Sequence, residues 1–408
     1  MTIPTRLTAL ALALATIAGA APAAPQDHRD GAGLKLDRVV LLMRHGIRPP
    51  TKAQPMPQGI AADPWPAWGV NPGWLTRHGA EAVLAVADAD RAGFVAAGLL
   101  PATDCPTRIA LLADSDQRTI ATAQAYAKGL APGCTLAIEH RPQDQADPLF
   151  NQISDGHAAL DPARAAAAVD AAVGPGGIAA VERSMKPLVA RLDRVLCGTA
   201  TATCGVAREP STITPATASS RPKLGGALDR ASTAAQILLL EYADGKPARD
   251  VGWGRAGAAD VTAFGAFHAL EFRLLARPRY LAARNMAGLS PRIAGWLSDD
   301  AATAPTVAMI SGHDTQIANL AGLLDLHWRV PGIAADDPVP GGAIVLERLS
   351  DAHGHHYVRA RYRAQSLAEL RAGTARAVSR QIVPIAGCSA LGQKGLCTLP
   401  AFLAKLKG

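Results

Sequence analysis

The chain has 408 residues, 49% of them hydrophobic and 18% charged, a balance that excludes a disordered chain and allows two or three domains. The formal charge is +7; no Lys/Arg-rich run or stacking-aromatic pattern accompanies it, so small anionic phosphate esters suit it better than nucleic acid. Aromatics make up only 4%, so the core must be built from Ala, Leu, Val and Ile.

The N-terminus, MTIPTRLTALALALATIAGAAPAAPQ, has Arg6, an apolar run from Leu7 to about Ala18 and then small residues. This is the pattern of a secretory signal peptide, expected over residues 1–24. The run is short for a bilayer span, and no later stretch reaches about 18 uninterrupted apolar residues. A periplasmic or secreted protein, free of the membrane after cleavage and monomeric, is expected.

The segment LDRVVLLMRHG (36–46) is apolar and β-branched and ends abruptly in polar residues, as a buried strand does when it feeds a loop. TRIALLADSDQRT (107–119) and PTVAMISGHD (305–314) have the same shape, and helix-like segments follow at 118–130 and 316–326. Strands alternating with helices indicate an α/β sheet flanked by helices, with ligands at the carboxyl ends of the strands. Residues 151–290 are Ala-rich with helical periodicity and few strand signals. They are expected to form a smaller inserted all-α cap between two parts of one α/β domain, 33–150 and 291–408. GAIVLERLSDAHGHHYVRARYR (342–363) reads as a hairpin, with His353, His355 and His356 at a polar tip rather than in a metal site.

Export implies an oxidising compartment, and the six cysteines fit it. Six cysteines allow 15 pairings. Spacing favours the local ones, Cys197 with Cys204, Cys388 with Cys397 and Cys105 with Cys134. No CxxC supports a zinc site.

The tripeptide Arg-His-Gly occurs twice, at 44–46 and 77–79. The first copy ends a strand and is followed by Arg48, Thr51 and Lys52. Arg44 and Arg48 offer two guanidinium forks to phosphate oxygens. His45, among cations, is biased towards its neutral, nucleophilic form. The second copy follows Thr76, which reads as a helix N-cap, and is taken as coincidence. Phosphoryl transfer to histidine needs a nucleophile, cations and an acid for the leaving oxygen. His45, Arg44, Arg48, Arg118, His313 and Asp314 supply them.

RHGIRPPTK and GHDTQIAN resemble the paired motifs of the histidine acid phosphatases. PWPAW, ADSDQRT, DPLFN, GWGR, GHDTQIANLAGLLDLHW and PGGAIVLER extend the resemblance over the mature chain, towards the bacterial periplasmic phytase/acid phosphatase and glucose-1-phosphatase branch. The resemblance implies a histidine-phosphatase-like sheet with a helical cap and a two-step mechanism without metal or cofactor. In it His45 becomes phosphorylated and Asp314 protonates the leaving alcohol. Arg44, Arg48, Thr51, Arg118 and His313 hold the phosphoryl group, and Lys52, His268 and Gln236 face the rest of the substrate. The branch also has the three local cysteine pairs. Asp114 occupies an acidic position of the family, with no role evident from sequence. Thr233 and Gln236 stand where phytases offer Met and Glu, and a substrate-binding Arg is replaced near Asn285 or Met286. Phytate is the first substrate expected, with a broad acid phosphatase or glucose-1-phosphatase next. A phosphate-ester binding protein without turnover is the rival from another class.

Overall fold

The computed structural model describes residues 33–200 and 203–407, so the expected signal peptide lies outside it. The strands are β1 (Lys35–Arg44), β2 (Ile109–Ala113), β3 (Thr212–Thr214), β4 (Lys223–Gly225), β5 (Val307–Gly312), β6 (Ala343–Ser350), β7 (His356–Ala364), β8 (Ser379–Ile382) and β9 (Cys397–Thr398). Seven form one sheet in the order β2-β5-β1-β6-β7-β8, with β9 also on β7. The β2, β5 and β1 strands are parallel, whereas β1-β6, β6-β7 and β7-β8 pair antiparallel.

The β1 strand reads as an unbroken apolar run because both of its faces are covered. Leu41 and Met43 pack on one side with Val83 and Val86 of α1 (Arg77–Ala96) and Tyr126 of α2 (Gln117–Leu130). Val40 and Leu42 face the other side. Burying each such side chain is worth about 1.5–3 kcal/mol.

Residues 151–290 contain α3 (Pro162–Val173), α4 (Gly177–Cys197), α5 (Ala227–Ala243), α6 (Ala258–Leu275) and α7 (Arg279–Asn285). They also contain the short antiparallel hairpin β3-β4, which the sequence did not announce because each of its strands is too short to show a period. The remaining helices are α8 (Leu289–Ser298), α9 (Asp314–Leu324), α10 (Leu367–Ala372) and α11 (Leu399–Leu406). Leu238 of α5 and Phe264 and Phe267 of α6 belong to the same apolar core as Val40, Leu42, Ile310 and Leu346 of the sheet.

The expected disulfides are all formed: Cys105–Cys134, Cys197–Cys204 and Cys388–Cys397. In the chain-entropy account such links contribute roughly 2–4 kcal/mol each. At the 342–363 hairpin His355 bonds Asp351 at 2.9 Å and His356 lies 3.7 Å from Asp37, as a polar tip would.

Candidate active site

Register brings the chemistry together. Arg44 is level with Gly312 and Ala113 with Ser311, so β2, β1 and β5 deliver Asp114, Arg44-His45 and His313-Asp314 to one carboxyl edge. Backbone bonds fix the edge: His45 N to Gly312 O at 2.8 Å, Asp114 N to Ser311 O at 3.1 Å and Gly341 N to His45 O at 3.1 Å.

His45 is buried. Its Nδ1 donates to the Gly46 carbonyl at 2.8 Å, which leaves the Nε2 lone pair free. Burial, then Arg48, Arg118 and Arg44 with His313, hold its pKa well below the ordinary 6.5. The expected bias towards a neutral imidazole is therefore present. Arg48 is itself lowered to about 9 by burial and by Arg118. The buried Nε groups of Arg44, Arg48 and Arg118 have no hydrogen-bond partner among the described residues. Three unsatisfied cationic donors around one buried imidazole form an incomplete network, since such groups in folded proteins are normally paired.

Asp314 opens α9, and its Oδ2 lies 3.0 Å from Arg44 Nη2 and 3.8 Å from His268 Nε2. Burial works to raise its pKa, but Arg44, His268, His45 and Arg48 prevail and hold the carboxyl far below the usual carboxylate range.

On the other flank Asp114 acquires a structural role. Its Oδ2 accepts from His313 Nε2 at 2.7 Å, and Arg118 Nη2 lies 3.4 Å from His313 Nδ1. Asp116 takes Arg118 at 2.7 Å, a partner that sequence reasoning missed. Asp114, Asp116 and His313 present ligand atoms within 4.8 Å of one another. A guanidinium already neutralises Asp116, which makes this group a scaffold for an anion site rather than a cation cage.

A cavity of about 290 Å³ opens beside this cluster, lined by Arg48, Thr51, Lys52, Thr233, Gln236, His268, Glu271 and Asp314 among others. Thr51 and Lys52 are exposed at its rim. Gln236 Oε1 accepts from Arg44 Nη2 at 2.8 Å, while its Nε2 is buried and has no partner among the described residues. Glu271, also missed, accepts from Ser232 Oγ at 2.5 Å. It lies three positions after His268, so helical periodicity could have placed both on one face. Asn285 turns inward, with Nδ2 bonded to Leu281 O at 2.9 Å, and brings no cation to the cavity.

The second Arg-His-Gly lies outside the cavity. Thr76 caps α1 as expected, accepting from Gly79 N at 2.9 Å, and His78 Nε2 bonds Leu370 O at 2.7 Å. Its glycine nonetheless packs against the residue that follows the first copy: a Cβ on Gly79 would lie 2.5 Å from the Ile47 carbonyl oxygen.

These features have close counterparts. The chain is 33% identical over 398 residues to phytase AppA of Escherichia coli K12, covering 90% of each. It is 26% identical to the glucose-1-phosphatase of Salmonella typhimurium, covering 91% of each. The structure of Hafnia alvei phytase in complex with myo-inositol hexakis sulphate superposes with a TM-score of 0.84 at 32% identity, over 92% of this chain and 97% of that one. The profile of the histidine phosphatase superfamily (branch 2) matches residues 35–363, a span that begins on β1 and holds every residue of the cluster around His45. The chain is a member of that superfamily, and its fold and phosphoric monoester hydrolase class are those of the family.

Proposed function

We propose that the chain is an exported acid phosphomonoesterase working through a phosphohistidine on His45, with Asp314 as general acid. One observation carries this: a buried, neutral imidazole with a free Nε2 lies in the field of Arg44, Arg48 and Arg118, whose buried Nε groups lack partners among the described residues. A phosphoryl group at Nε2 gives those donors their acceptors. Nε2 attacks phosphorus, the ester P–O bond breaks, and the leaving oxygen takes a proton from Asp314. Water then attacks phosphorus and gives its proton to Asp314, the P–N bond breaks to return the lone pair to Nε2, and inorganic phosphate leaves. Asp314 is ionised in the free protein. The incoming phosphate charge offsets Arg44 and Arg48, which raises the proton affinity of Asp314, so that it takes up a proton from solvent or from the phosphate monoanion before it acts as acid. His313, held by Asp114, and Arg118 complete the phosphoryl cradle. The three disulfides support the exported assignment.

Phytate is the substrate we propose, on the strength of the phytase relatives. A sugar phosphate is the second reading, favoured by the uncharged Gln236 and the carboxylate of Glu271 in the leaving-group cavity. The Glu271 carboxylate offers sugar hydroxyls an acceptor.

The test is an alkali-quenched reaction with an ester labelled on phosphorus, with EDTA present. Wild type should retain alkali-stable label, and His45→Ala should retain none and release no phosphate. Binding without release, or labelling of His45→Ala, would refute the mechanism. Comparing kcat/KM on phytate and glucose 1-phosphate decides the substrate.

A further inference from the structure

Asp337 is buried at 1% exposure, in a loop far in sequence from every other residue of the site. Its Oδ1 lies 2.6 Å from His268 Nδ1. The other ring nitrogen, Nε2, lies 3.8 Å from Asp314 Oδ2. Asp337, His268 and Asp314 therefore form a line that ends on the carboxyl beside His45.

The surroundings keep the line in place. Gly265, one turn before His268 on α6, gives Asp337 its room, since a Cβ there would lie 2.9 Å from Asp337 Oδ2. Trp328 Nε1 donates to the Asp337 carbonyl at 3.2 Å. The next residue, Pro338, accepts from Arg44 Nη1. One short loop thus braces both groups that approach Asp314 Oδ2.

Asp314 Oδ1 is tied to Thr315 N at 2.9 Å, but Oδ2 relies on Arg44 and His268. A bound phosphoryl group draws on Arg44, which leaves His268 as the other side chain within 4 Å of Oδ2 among the ion pairs of the described residues. Its Nε2 is too distant for a hydrogen bond in the free protein, and such contacts tighten when substrate is bound.

We infer that Asp337 is a positioning residue: by holding His268 through Nδ1 it aims Nε2 at Asp314 and sets that carboxyl for proton delivery to the leaving oxygen. The inference rests on Asp314 being the general acid.

Leaving-group dependence tests it, because a merely structural residue would lower all rates alike. General-acid assistance is worth on the order of 10²–10⁴-fold, and loss of alignment should forfeit on the order of 10-fold of it. Asp337→Ala should lower kcat/KM on glycerol 2-phosphate by about that factor while changing kcat/KM on nitrophenyl phosphate, which reports the same phosphorylation step without need of an acid, by less than about 3-fold. Asp337→Asn, which still accepts from Nδ1, should restore the wild-type ratio of the two rates. Should Asp337→Ala not fold, His268→Gln should shift the ratio in the same direction. Equal losses on both esters, or no loss on either, would overturn the inference. Asp314→Asn separates the two layers. If it discriminates between the esters and Asp337→Ala does not, only the role of Asp337 falls. If Asp314→Asn does not discriminate, the general-acid assignment falls and takes this inference with it.

Discussion

Replacing Gly79 by Ala tests whether the second Arg-His-Gly supports the first. In an exposed helix Gly→Ala is favourable by about 1 kcal/mol. Here the added Cβ would lie 2.5 Å from Ile47 O and 2.8 Å from Ile47 N. Carbon–oxygen contacts settle at about 3.3 Å, so roughly 0.8 Å must be found by moving backbone. Overpacking of this kind costs about 1–3 kcal/mol. The bond from Thr76 N to Ile47 O, now 2.9 Å, would stretch and lose up to about 1 kcal/mol more. The net expectation is a loss of about 1–3 kcal/mol, read from denaturant midpoints. Ile47 lies between His45 and Arg48, so turnover should fall too, and a displacement near 1 Å can cost on the order of 10²-fold. His78→Ala is the comparator, since it forfeits a bond to Leu370 O away from Ile47, and its turnover should stay within about 3-fold of wild type. A Gly79→Ala protein as stable and as active as wild type would refute the reasoning.

Two further outcomes concern pH. Glu241 is fully buried, with Oε2 accepting from Gly252 N at 3.0 Å, and burial raises its pKa from 4.5 to about 7. A raised carboxyl favours the folded state fully below its unfolded pKa and loses that contribution as pH rises to about 7. The loss should be on the order of 3 kcal/mol, and Glu241→Gln should flatten that part of the stability–pH curve; an unchanged curve would show that Glu241 does not carry it. The acid limb of kcat/KM should lie well below pH 6.5, because burial and three guanidiniums keep His45 unprotonated. A limb at or above 6.5 would contradict the neutral nucleophile.

The strand ends were legible because a strand buried on both faces leaves an unbroken apolar run, and the change to RHG, DSD or GHD marks its exit. Those exits sufficed to predict that Arg44, His45, Asp114, Arg118, His313 and Asp314 meet. The local cysteine pairs were readable from spacing for a similar reason, since short loops leave few partners within reach. Partners set by tertiary closure were not legible. His268 and Asp337 meet only because α6 packs over the end of the sheet, and nothing near either residue encodes the other. Gly79 was misjudged in a different way. Its helix-start setting was right, but a glycine required by a neighbouring backbone carbonyl looks in sequence like any other glycine. Glu271 was within reach of helical periodicity, since it follows His268 by three positions on one helix.

The apolar core that joins α5 and α6 to β1, β5 and β6 has a consequence for how substrate enters. Two bodies that share one interior cannot swing apart without exposing it, so the helical layer is unsuited to act as a lid. Access runs through the standing mouth at Thr51 and Lys52, and turnover need not wait for closure. In hydrogen exchange the amides of α5 and of β1 should report one common opening free energy, the global one, rather than a cheaper detachment of the helices.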